Sequence, residues 1–213
     1  AQPSGRPDMR PLRSLVKQAA ELHRKGYEML LVSSGAVGAG VEALDMKARP
    51  TNVPDLQMCA AVGQARLMAH YEELFGAESI VIGQVLLTHA DFQHRVRCGN
   101  TRRTLEHLLR HSVVPIINEN DVVADEELKG DLSFGDNDYL ASLVVKLVRA
   151  DLLILLTTAG GVREFGSDGG SRRLPLIEAV TPRVLRLVTP KESGISTGGM
   201  GRPWTRAVSR VSA

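Results

Sequence analysis

Leu12, Leu15, Val16, Ala19 and Leu22 recur at the spacing of one helical face, and Gly26 after Lys25 marks where that helix should stop. The period then changes. Tyr27 to Val32 is a short apolar run that reads as a buried strand, and it empties into Ser33-Ser34-Gly35-Ala36-Val37-Gly38-Ala39-Gly40. A helix is predicted from about Asp55 to Phe75, a strand from Ile80 to Leu87, a helix from Thr101 to His111 and a strand from Val113 to Ile117. Asp136 is placed to cap a helix running to about Arg149, with Leu140, Leu143, Val144 and Leu147 on its apolar face. Asp151-Leu152-Leu153-Ile154-Leu155-Leu156 is the most strand-like run of all, and the glycine-rich stretch from Gly160 to Gly170 reads as an exposed loop.

Helices thus alternate with fully apolar strands. That alternation predicts an α/β fold with a largely parallel sheet and helices on both faces. In such sheets ligands sit outside the carboxyl ends of the strands. The Ser/Gly loop, an Asn/Asp cluster after Ile117, and Thr157-Thr158 all fall at those ends. The chain shows no internal repeat and no low-complexity block, so residues 1–213 are expected to form a single domain with no second one.

Composition narrows the function classes. A content of 43% hydrophobic and 23% charged residues in 213 is that of a globular chain with a real core, and argues against disorder. A net charge of +2 gives no global electrostatic case for nucleic acid. The charge is nonetheless uneven: from Ala159 onward nine Lys/Arg face four Asp/Glu, leaving 17 against 20 before it. Such a basic segment suits either phosphate handling or a solvated arginine surface. Cys59 and Cys98 are too few for a disulfide framework or a zinc site and read as reduced thiols of a cytoplasmic protein. No apolar run approaches the roughly 18 residues that would span a membrane, and no signal-like segment opens the chain.

The candidate chemistry is oxygen-rich. Ile117-Asn118-Glu119-Asn120-Asp121 and Gly135-Asp136-Asn137-Asp138 bring carboxylates and amides together without histidine or thiolate, a donor set for Mg²⁺ or a ligand's ammonium group and not for zinc. Gly35, Gly38 and Gly40 would let backbone N–H groups approach an anion ahead of a helix N-terminus, although the spacing matches neither a Walker A loop nor a dinucleotide fingerprint. Ser196-Thr197-Gly198-Gly199-Met200-Gly201, followed by Arg202, Arg206 and Arg210, is a second possible phosphate cradle. A tight strand-to-helix connection and an ordinary turn are the plainer readings of these two loops. The six histidines are scattered, with neither metal-ligand spacing nor a nucleophile partner.

Taken together, Val32-Ser33-Ser34-Gly35-Ala36-Val37, Ile117-Asn118-Glu119-Asn120-Asp121, Gly135-Asp136-Asn137-Asp138 and Thr197-Gly198-Gly199-Met200 resemble the motifs of the glutamate 5-kinases, amino-acid kinase-fold enzymes that open proline biosynthesis. Ala60-Ala61-Val62-Gly63-Gln64 and Gly83-Gln84-Val85-Leu86-Leu87-Thr88 add to the likeness, which spans roughly Asp8 to Met200. The resemblance implies a three-layer sandwich. It also implies transfer of the γ-phosphoryl of ATP, with Mg²⁺, to the side-chain carboxylate of L-glutamate. Carried over by motif, Ser34, Gly35, Ala36, Asp121 and Asn137 would bind glutamate. Thr157, Thr158, Thr197, Gly198, Gly199 and Met200 would line the nucleotide, and no residue is assigned as a dedicated protein metal ligand. Proline as a feedback ligand, a homo-oligomer, and no nucleic-acid or membrane partner complete the expectation.

The departures fall on the phosphate side. The family's opening strand and glycine loop with its lysine have no counterpart in Ala1-Gln2-Pro3-Ser4-Gly5-Arg6-Pro7, so the domain is expected to be incomplete at its N-terminal strand and its C-terminal end. Thr157-Thr158 stands where the family has Thr-Asp, and Pro203 where it has a lysine that Arg202 or Arg206 would have to replace. No catalytic residue is therefore assigned. A non-catalytic glutamate- or proline-binding relative, or a sibling kinase with another substrate, stays open beside the kinase reading.

Overall fold

The structure is a computed structural model that describes residues 9–124, 137–157, 160–165 and 170–187. The chain divides into two compact units, Ala1–Glu127 and Leu128–Ala213.

The first unit opens with helix α1 (Met9–Arg24), closed by a left-handed Gly26 (φ 90°). Gly26 N–H donates to His23 O and Tyr27 N–H to Leu22 O, the paired bonds that satisfy the last carbonyls of a helix. That closure takes the Tyr27 amide and leaves its side chain exposed. Strand β1 is consequently only Leu31–Val32, shorter than the run from Tyr27 that the apolar pattern suggests. After it come α2 (Ala36–Ala43), α3 (Val53–Gly76), β2 (Ile82–Leu87), α4 (His89–Gln93), α5 (Arg95–Arg110) and β3 (Val114–Glu119). Helix α5 starts six residues before Thr101, because its first turns are polar and leave no apolar period to read.

The strands form one parallel sheet in the order β1-β3-β2, with Val32 opposite Ile117 and Leu87 opposite Glu119. Val114 and Ile116 face Val16, Ala19 and Ala20 of α1 and Leu67, Tyr71 and Phe75 of α3, and this is the main core. Leu108 of α5 lies against Gly83 of β2, at a position that pairs with Pro115 and so belongs to the opposite face. Helices therefore cover both faces of the sheet, as the alternation predicts.

The second unit contains α6 (Asn137–Val148), strands β4 (Arg163–Phe165) and β5 (Ser171–Arg173), and α7 (Pro182–Leu187). Helix α6 buries Tyr139, Leu140, Ala141 and Val144 and matches the expected span. Two expectations fail here. Residues 151–156 form no strand: Leu152, Ile154 and Leu156 are 75%, 64% and 71% exposed. β-propensity is realised only where a neighbouring strand takes the backbone hydrogen bonds, and among the described residues none lies beside this run. Conversely, the predicted loop from Gly160 to Gly170 holds half of an antiparallel hairpin, β4 with β5, in which Arg163 pairs with Arg173.

Candidate functional site

The carboxyl edge of the parallel sheet is built around the exit of β1. Ser33 N–H donates to Ile117 O at 2.7 Å, carrying the ladder one residue past the strand. The Ser33 side chain is buried, with its hydroxyl 2.9 Å from the Tyr71 hydroxyl of α3. Ser34 and Gly35 come next and are exposed. Gly35 adopts φ 106°, a left-handed conformation that turns the chain directly into α2 and that an L side chain would resist.

Helix α3 fixes that turn by contact of backbone on backbone. A Cβ on Gly63 would fall 1.8 Å from Ala36 O, and one on Gly40 would fall 1.8 Å from Cys59 O. Small residues at both places let α2 and α3 approach this closely, and the start of α2 has no freedom to drift. Ser34, Gly35 and Ala36 are thus held at the sheet edge by packing below them.

Strand β3, the centre of the sheet, delivers the acidic cluster. Asn118 is 2% exposed and donates from Nδ2 to Gln64 Oε1 at 2.8 Å, while its own Oδ1 accepts from Glu119 N–H at 2.9 Å. Asn120 N–H donates to Leu87 O at 2.8 Å, and Val123 N–H to Asn120 O at 3.2 Å, so the chain turns immediately after the strand. Asp121 sits in that turn, 9% exposed and engaged within the structure. A carboxylate this buried is costly to desolvate and is best stabilised by a cationic group.

The exit of β2 supplies the third side. Asp91 Oδ2 accepts from Thr88 N–H at 2.7 Å and from the Thr88 hydroxyl at 2.8 Å, tying the start of α4 to the end of β2. His89 Nδ1 lies 3.6 Å from Glu119 Oε1, both side chains largely buried. Burial pushes the Asp91 carboxyl up, but the Thr88 amide and hydroxyl, with Arg97, outweigh it and hold the group below its ordinary value. Burial raises the Tyr71 phenol, only partly offset by the Ser33 hydrogen bond.

The first unit therefore brings Ser34, Gly35, Ala36 and Asp121 to one edge of two adjacent parallel strands. Asn137 is the first residue of α6 in the second unit, its Oδ1 buried without a hydrogen-bond partner among the described residues. Thr157 is exposed after the unpaired apolar run. Thr158, Thr197, Gly198, Gly199 and Met200 lie outside the described residues, as do Gly135 and Asp136. Among the described residues no three His, Cys, Asp or Glu side chains converge to hold a metal. Asp121 and the Ser34 hydroxyl offer hard oxygen donors of the kind Mg²⁺ takes. No helix of the described residues is long and apolar enough to cross a membrane.

Gln64, Tyr71 and the Thr88–Asp91 pair carry roles that motif reading does not assign. The available signals were modest: a lone tyrosine on a buried helical face needs a partner for its hydroxyl, and the small residues Ala60, Ala61 and Gly63 announce close packing around Gln64.

Comparison with known proteins identifies the family. The model of the amino acid kinase family matches residues 3–211. A protein of Myxococcus xanthus named glutamate 5-kinase is 48% identical over 190 residues, covering 88% of this chain and 49% of the relative. One of Listeria welshimeri with the same name is 41% identical over 199 residues, covering 92% of this chain and 72% of the relative. A Geobacter sulfurreducens protein, again of that name, is 43% identical over 189 residues, with 88% and 50% covered. The chain thus spans between about half and about three-quarters of the length of these relatives.

Proposed function

The chain belongs to the amino acid kinase family, and on that premise we propose that it phosphorylates the side-chain carboxylate of L-glutamate with ATP. A γ-carboxylate oxygen attacks the terminal phosphorus, the bond to the β-phosphate oxygen breaks, and γ-glutamyl phosphate and ADP result. Such a transfer asks for positioning and charge neutralisation and needs no nucleophilic side chain.

The observation that carries the reading is the buried Asp121 on the same sheet edge as the Ser34–Gly35 turn, at the ends of two neighbouring parallel strands. Asp121 pairs with the substrate ammonium. The Ser34 hydroxyl and the backbone amides of Gly35 and Ala36 orient a carboxylate, a task suited to a turn whose Ser34 and Gly35 are exposed and which α3 holds still. Asn137 enters this proposal by motif likeness alone, as a further contact to glutamate. Thr157, Thr158, Thr197, Gly198, Gly199 and Met200 line the nucleotide. Mg²⁺, bound through the phosphates of ATP, supplies neutralisation of the phosphoryl charge. Proline fits the same proposal as a feedback ligand, since it offers a carboxylate and an ammonium in one small molecule.

The shared name of relatives at 41–48% identity favours catalysis over a binding-only role. Trapping the acyl phosphate with hydroxylamine tests it: hydroxamate should form only when glutamate and MgATP are both present. ATP hydrolysis indifferent to glutamate would sink the proposal.

A further inference from the structure

We propose that Gln64 binds the amino-acid substrate directly, donating a hydrogen bond from Nε2 to one of its carboxylate oxygens. The inference rests on the glutamate reading above and adds to it a ligand-binding residue from α3.

The orientation of three amides decides the matter. Glu119 N–H is a backbone group and can only donate, so the atom of Asn118 that it meets at 2.9 Å must be the side-chain oxygen. Asn118 then has only its Nδ2 left to face Gln64, and Gln64 must answer with its oxygen, at 2.8 Å. A flip of either amide would set donor against donor or acceptor against acceptor. The chain of bonds therefore leaves Gln64 Nε2 as the remaining donor.

That donor is buried and has no hydrogen-bond partner among the described residues. A buried unmade donor costs about 1–3 kcal/mol, and such groups in folded proteins call for an explanation. Its position supplies one. The preceding residue, Gly63, packs on the Ala36 carbonyl, and the Gln64 side chain itself reaches Asn118. Nε2 is thus held where α3 meets both the Ser34–Ala36 turn and the end of β3. An acceptor arriving there is an oxygen of the ligand, and the ligand of this edge is an amino acid with two carboxylates. Leaving the donor unmade in the free protein makes the bond a contribution to binding and not to folding.

Gln64→Glu separates the two halves of the side chain. It keeps an oxygen for Asn118 but replaces the donor with an anionic oxygen facing the substrate carboxylate. Calorimetric titration of the full chain with L-glutamate at pH 8 should show a dissociation constant raised at least about 10-fold. The MgATP constant should stay within twofold, while the melting temperature should fall in the free protein, because an anionic oxygen replaces a buried neutral amide group. Lowering the pH should narrow the gap, because a protonated Glu regains a donor. Should Gln64→Glu not fold, Gln64→Met carries the same test, with weaker glutamate binding and unchanged MgATP binding. Wild-type affinity for glutamate in either folded variant would overturn this inference alone, as would a loss shared equally by MgATP. A wild-type protein that does not bind glutamate would overturn the function reading together with it.

Discussion

The Ser33 hydroxyl and the Tyr71 hydroxyl meet at 2.9 Å in the buried layer between β1 and α3, one residue before the exposed Ser34. The bond joins the floor of the site to the main core. Tyr71→Phe should destabilise the protein by about 1 kcal/mol, the usual worth of one internal hydrogen bond. The pH dependence has a definite sign. The folded phenol holds its proton more tightly than the unfolded one, so its contribution is complete below the ordinary tyrosine pKa of about 10 and is lost as the pH rises past it. Denaturant melts at pH 7 and pH 11 should show the wild type losing more stability at alkaline pH than Tyr71→Phe does.

Two glycines separate packing from conformational freedom. Gly63→Ala would drive a methyl to within 1.8 Å of the Ala36 carbonyl oxygen, and both neighbours are backbone, which cannot step aside. We expect a loss of several kcal/mol or failure to fold, as for overpacked cores at their most severe. Gly38→Ala lies on α2 with nothing within 4 Å of the added carbon. There the gain in helix propensity should stabilise the protein by about 0.5–1 kcal/mol. Thermal melts of the pair check the contrast, and similar behaviour of the two variants would contradict it.

Asp91 reports on the β2 exit. Its carboxylate closes the start of α4 on the Thr88 amide and hydroxyl, so Asp91→Ala should cost about 1 kcal/mol near neutral pH, as loss of a helix cap does. With the folded pKa depressed, that contribution is present above the ordinary carboxylate range. It disappears as the pH falls through the folded value. The gap between wild type and Asp91→Ala should therefore close in acid. A gap that stays constant from pH 7 to pH 3 would show that the carboxylate charge does not hold this turn.

How much of this was legible beforehand follows from the range of the interactions. Helices α1, α3 and α6 each bury one coherent face, and strands β2 and β3 are short apolar runs covered on both faces, so the local pattern sufficed to find them. Residues 151–156 have the composition of a strand and no ladder partner among the described residues, and composition does not carry partners. The β4–β5 hairpin is the reverse case: Arg163-Glu164-Phe165 and Ser171-Arg172-Arg173 pair through backbone and an Arg172–Glu164 contact with no apolar alternation to betray them. At the candidate site, Ser34 and Asp121 stand out as proposals because their neighbours form motifs. Gln64 and Tyr71 act through partners 54 and 38 residues away, distances over which a single sequence shows no pattern.

Asp121 tests the central claim most directly. Asp121→Asn preserves shape in a buried turn while removing the charge proposed to face the substrate ammonium. Steady-state kinetics with hydroxamate detection should show the glutamate KM raised on the order of 100-fold, the scale expected when a buried charge loses its opposite number. The ATP KM should stay within about twofold. Equal rises in both constants, or an unchanged glutamate KM, would contradict the placing of the amino-acid site at the ends of β1 and β3.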